Sequence, residues 1–89
     1  MGFNKMIVAV DDSSIILKRL TKVLGKNYDF HAFSVGTRAL KFLNEYVPDL
    51  IILDIEMPEI NGYEMLKIIR ENPALKDVPV IFLTSNNDK

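Results

Sequence analysis

Met6 to Val10 is an uninterrupted apolar run that ends on the pair Asp11-Asp12. A run without polar alternation suits a strand covered on both faces, and it predicts a first strand. From Ser13 to Leu24 the period changes, with Ile16, Leu20, Val23 and Leu24 at helical spacing, Lys18, Arg19 and Lys22 between them, and Gly25 as a stop after the helix end. Asp12 or Ser13 caps this first helix. Tyr28 to Phe33 alternates, with Tyr28, Phe30 and Ala32 facing opposite to Asp29, His31 and Phe33, which predicts a short edge strand. Ser34 then suits the N-cap of a second helix, on which Ala39, Leu40, Leu43 and Val47 form the apolar stripe and which Pro48 ends. Leu50 to Leu53 runs into Asp54 as the first strand runs into Asp11. Asn61 and Glu64 have capping-box spacing and start a third helix near Gly62, with Met65, Leu66 and Ile69 on its apolar face up to Asn72-Pro73. Val78 to Leu83 reads as a fourth buried strand, with its proline near the start, and runs into Thr84 and Ser85.

The order is therefore βαβαβαβ. Strands joined by helical crossovers are parallel and the crossovers right-handed, so the fold class is α/β, an open parallel sheet with helices on both faces. At 89 residues, residues 1–89 form one domain at most. A net charge of −1 leaves no basic excess for a run of phosphates, so nucleic acid is not an expected partner. The longest apolar runs fall far short of the roughly 20 residues of a membrane span, and no membrane association is expected. With no cysteine, thiolate zinc sites, Fe–S clusters, disulfides and cysteine nucleophiles are all excluded, and a reducing, cytoplasmic location is expected.

In an open parallel sheet, ligands bind at the carboxyl ends of the strands, where Asp11, Asp12, Asp54, Thr84 and Ser85 fall. Three converging carboxylates repel one another unless a cation sits among them, and an all-oxygen set suits Mg²⁺ or Mn²⁺ rather than zinc. Such a cation beside a carboxylate and a hydroxyl makes a phosphoryl site plausible, with a carboxylate as nucleophile. An Asp-Asp pair ahead of a helix commonly serves only as a cap. Asp54 is different in kind, because a charge ending a buried strand is costly unless used. Elsewhere His31 reads as a solvated surface residue, Met57 and Pro58 as turn-shaping, Gly62 as shaping the helix entry, and Phe42 and Tyr46 as packing. Lys18, Arg19 and Lys22 read as a solvated face.

Asp11-Asp12 after strand 1, Leu53-Asp54-Ile-Glu-Met-Pro-Glu-Ile-Asn-Gly62 after strand 3 and Leu83-Thr84-Ser85 after strand 4 resemble the receiver domains of two-component response regulators. The resemblance covers nearly the whole chain, and the middle block is highly specific. It implies a flavodoxin-like receiver fold in which Asp54 is the phosphate acceptor in a Mg²⁺ site. Asp12 would be a direct ligand, Asp11 a ligand through water, Asp54 itself a ligand, and the Glu56 backbone carbonyl another. Thr84 would bind a phosphoryl oxygen and small Ser85 would leave it room, while the Glu56 and Asn86 side chains lie where receivers vary the lifetime of their phosphate. A histidine kinase or phosphotransfer protein would be the donor, docking by family habit near helix 1. Receivers also carry a further helix, strand and helix, with a phosphate-pairing lysine and an aromatic switch residue. The sequence stops five residues after Thr84, and Lys89 does not occupy that lysine's place, so a C-terminally truncated receiver with slow phosphorylation is expected.

Two other functions compete. A phosphohydrolase of the haloacid-dehalogenase type also uses a strand-end aspartate, but needs a second Asp where Glu56 stands. A phosphorylation-independent assembly module is the other: in the receiver-like order 2-1-3-4-5, loss of strand 5 would make strand 4 an apolar edge, and loss of the last helix would leave the sheet face beside helix 1 partly bare. A homo-oligomer through strand 4 or that face is the corresponding expectation.

Overall fold

The computed structural model describes residues 5–83. Within them the order is β1 (Met6–Val10), α1 (Ser14–Leu24), β2 (Asp29–Phe33), α2 (Gly36–Leu43), β3 (Leu50–Asp54), α3 (Gly62–Glu71) and β4 (Val80–Leu83). All pairings are parallel, in the spatial order β2-β1-β3-β4. The chain moves outward from β1 to β2, then returns past β1 to β3 and on to β4. Right-handed crossovers in opposite directions place α1 on one face and α2 with α3 on the other.

The pleat divides the core accordingly. Ile7, Ala9 and Ile52 point to the α1 side, against Leu17, Leu20 and Leu24. Val8, Val10, Ile51 and Leu53 point to the other, against Ala39, Leu43, Met65 and Ile69. Both faces of β1 and β3 are thus buried, which is why these strands carry no polar alternation. Burying a side chain such as Ile69 or Met65 completely contributes about 1.5–3 kcal/mol.

Helix ends follow local chemistry where the sequence supplies it. The Ser13 hydroxyl, not Asp12, caps α1 by accepting from the Ile16 amide at 3.3 Å. Asn61 and Glu64 close a capping box at α3, each side chain bonding the other's amide, at 2.9 and 2.8 Å. Gly25 is the C-cap of α1 in ordinary right-handed conformation, not a left-handed stop beyond it.

Several expectations are corrected. Val35, not Ser34, is the N-cap of α2, and no side chain satisfies that helix start. The helix ends at Leu43 rather than running to Pro48. Its last amides tighten onto carbonyls three residues back, as from Asn44 to Lys41 and from Glu45 to Phe42, and Val47 is left 53 % exposed. Proline at 48 disfavours helical backbone at 47, so the chain leaves the helix early to reach β3. On α1, Val23 is 68 % exposed and lies off the buried stripe. Tyr28 precedes β2, and Val78 and Pro79 precede β4, where Val78 closes a turn by donating to the Leu75 carbonyl. β4 is no buried strand: Ile81 is 51 % exposed, and among the described residues β4 pairs on one side only, with β3. His31 is half-buried, packed at a tilt on Phe42 at 4.7 Å between centroids, with Nε2 2.9 Å from Asp29 Oδ1.

Candidate functional site

The register that pairs Val10 with Leu53 places the next residues, Asp11 and Asp54, side by side at the carboxyl ends of the two central strands. This is the point where the chain reverses its direction across the sheet, and so the crevice such sheets use for ligands. Asp12 follows on the first turn out of β1, exposed where its neighbours are not. Each of the three offers a carboxylate oxygen, and these oxygens all lie within 4.8 Å of one another.

Burial makes the cluster costly. Asp11 is 1 % exposed and Asp54 3 % exposed, the only buried charged side chains among the described residues. Burial pushes the Asp54 carboxyl up to about 6, the Asp11 and Asp12 carboxylates add to the rise, and the Ile55 amide opposes it. Asp11 Oδ1 accepts from the Ser13 amide at 2.8 Å, while its buried Oδ2 has no hydrogen-bond partner. An orphaned buried carboxylate oxygen, facing two further carboxylates, lacks a cation or a donor. The arrangement can hold a hard divalent ion through oxygen alone.

The segment after Asp54 is shaped by two glycines. Gly62 donates to the Ile55 carbonyl at 2.8 Å, and a side chain there would overlap the Asp54 carbonyl oxygen and press on Phe82. Gly36, at the start of α2, receives Ile60 and Met65 where a Cβ would stand. Between them Glu59 takes a left-handed φ of 72°, and Ile60 donates to the Pro58 carbonyl at 2.8 Å. Glu56 and Pro58 are exposed on this loop, and Met57 packs on the core. Gly36 was not recognisable in sequence, because what it accommodates comes from another loop. Thr84, Ser85, Asn86 and Lys89 lie outside the described residues. Leu83, in register with Asp54, is the last described position of β4.

The family model for the response regulator receiver domain matches residues 7–89. A two-component response regulator of Oryza sativa subsp. japonica, ORR7, is 41 % identical over 83 residues, 91 % of this chain and 40 % of that protein. The chemotaxis response regulator CheY4 of Vibrio cholerae superposes with a TM-score of 0.88 at 29 % identity, covering 94 % of this chain and 71 % of the other. The Mn(2+)-bound form of response regulator Rcp1 does so with a TM-score of 0.82 at 31 % identity, covering 97 % and 69 %. The chain spans 19 %, 40 % and 62 % of the length of three curated relatives it matches. No helix among the described residues is long and apolar enough to cross a membrane.

Proposed function

The chain belongs to the response regulator receiver domains, the signalling modules of two-component systems, and from that premise we propose that it accepts a phosphoryl group on Asp54 from the phosphohistidine of a histidine kinase or phosphotransfer protein. In that transfer the P–N bond to the donor imidazole breaks and a P–O bond to an Asp54 carboxylate oxygen forms. The imidazole leaves neutral after taking up a proton. Asp54 attacks as the carboxylate, and no base is needed to prepare it near pH 7.

Asp11, Asp12, Asp54 and the Glu56 backbone carbonyl would hold Mg²⁺, which when bound neutralises charge on the phosphoryl oxygens. The single observation that carries this reading is the buried, unpartnered Oδ2 of Asp11 beside Asp54. The Mn(2+) found with similar Rcp1 supports it. Ser13 holds Asp11 through its amide, and Gly62, having no side chain, lets the start of α3 lie against the Asp54 carbonyl. Thr84 would bind a phosphoryl oxygen. Incubation with phosphoramidate and Mg²⁺, read by intact mass, tests the proposal. One phosphoryl group, added slowly and lost in Asp54→Asn and without Mg²⁺, is expected; labelling that survives Asp54→Asn overturns it.

A second reading, assembly of copies through β4, is favoured by half-exposed Ile81 on a strand with one partner among the described residues. Light scattering at micromolar concentration tests it. A dimer that Ile81→Lys dissolves supports it, and a dispersed monomer of 10.2 kDa overturns it.

A further inference from the structure

The opposite edge of the sheet carries a surface that phosphoryl transfer does not use. β2 pairs only with β1 among the described residues, so the peptide groups along one side of Asp29–Phe33 face outward. No proline or glycine interrupts this edge. On the α1 side of it lies an open groove of about 460 Å³, floored by Leu17 and small, exposed Ala32 and flanked by Lys18, Thr21, Lys22 and Ser34. On the other side His31, at the edge itself, begins a row of packed rings that passes through Phe42 to half-exposed Tyr46, with 4.7 Å between successive ring centroids.

A strand added to β2 would therefore find something to contact on both faces. Residues pointing toward α1 would enter a groove edged by two lysines, neither of which has an anionic partner within salt-bridge distance among the described residues. Residues pointing the other way would meet aromatic rings and Asp29, where an apolar side chain fits and a carboxylate is repelled. The alternation of a strand converts these two faces into a sequence preference.

We propose that the free edge of β2, with the groove beneath α1, binds an extended segment of a partner protein in which carboxylates alternate with apolar or aromatic residues. Backbone hydrogen bonds to β2 supply the affinity, and Lys18 and Lys22 select the acidic face. A second copy of this chain is a poorer occupant: the one carboxylate of β2, Asp29, lies on the face away from α1, so a paired copy offers Phe30 and Ala32 to the lysines. The three carboxylates of the phosphoryl site lie at the ends of β1 and β3, so occupancy of the two places is separable.

The test is a titration of the full chain with a blocked octapeptide alternating Glu and Phe, followed by amide chemical shifts. Shifts confined to Asp29–Phe33 and to Lys18, Thr21 and Lys22 are expected, with slower amide exchange along β2. The Lys18→Glu, Lys22→Glu double variant should weaken binding about tenfold or more, since two ion pairs become repulsions. Ala32→Phe, at an exposed position, should block the groove, with an unchanged shift pattern in the core showing that the fold is retained. Asp54→Asn should bind as the parent does. Equal affinity for a peptide with Gln in place of Glu, shifts centred on Asp11 and Asp54, or no shift at millimolar peptide would each overturn the proposal.

Discussion

Asp54 is ionisable in a place that resists ionisation, and that tension sets its pH behaviour. Its folded value of about 6 lies above the usual 3.8, first because it is buried and then because Asp11 and Asp12 stand beside it. The folded state thus holds the proton more tightly than the unfolded chain. Stability contributed by this group is fully present below about pH 4, falls as pH rises toward 6, and stays low above that. The difference of roughly two pKa units corresponds to about 3 kcal/mol at most. Asp54→Asn should therefore raise the urea midpoint at pH 7 in metal-free buffer, with the gain vanishing near pH 4. An equal gain at both values would mean that Asn helps by packing and not by removing a buried charge. The type of residue and its position after Leu53 were legible in sequence; the orphaned oxygen of Asp11 was not, because it depends on which donors the fold brings near.

At the scale of elements, two contacts hold the loops that flank β3 and β4. Gly62 opens α3 against the Asp54 backbone, so Gly62→Ala must push the helix start away from the strand end. A cost of about 1–3 kcal/mol is expected, together with weaker phosphoramidate labelling, because Asp54 moves with its carbonyl. A stability loss with unchanged labelling would show that the site tolerates the shift. Arg70, in the last turn of α3, donates through Nη1 to the carbonyls of Leu75, Lys76 and Val78 at 3.0, 3.0 and 2.8 Å. That one cation gathers the turn leading into β4. Arg70→Ala should cost about 1–3 kcal/mol by chemical denaturation, and Arg70→Lys should recover only part, since the shorter lysine side chain ends short of the place Nη1 holds among the three carbonyls. The role of Arg70 was not visible in the chain, whereas Gly62 read as shaping the helix entry, without the strand end it would meet. The capping box at Asn61 was visible, because its partners are three residues apart. The start of α2 was misplaced for the opposite reason: Ile60 and Met65, distant in sequence, determine how Gly36 is seated. Likewise β4 reads as buried from its composition, and only the strand order reveals that Ile81 faces outward.

For the whole molecule, the topology makes the site and the most buried part of the sheet one object. Val8, Ala9, Val10, Ile51 and Leu53 are 0 % exposed, and the two strands they form end in Asp11 and Asp54. Opening those strand ends disrupts the centre of the core, so an ion bound there should report on global unfolding and not on a local loop. A cation that binds the folded chain and not the unfolded one adds stability that grows with the logarithm of its concentration. Mg²⁺ at millimolar concentration should therefore raise Tm at pH 7.5, and excess EDTA should reverse the rise. The gain should shrink below about pH 6, where Asp54 takes up a proton and competes with the ion. Asp11→Asn should abolish it, whereas Lys18→Glu, in the groove beside β2, should leave it intact. Calorimetric scans of the three chains with and without Mg²⁺ decide the matter: a rise that persists in Asp11→Asn would place the ion elsewhere and detach the acidic cluster from metal binding.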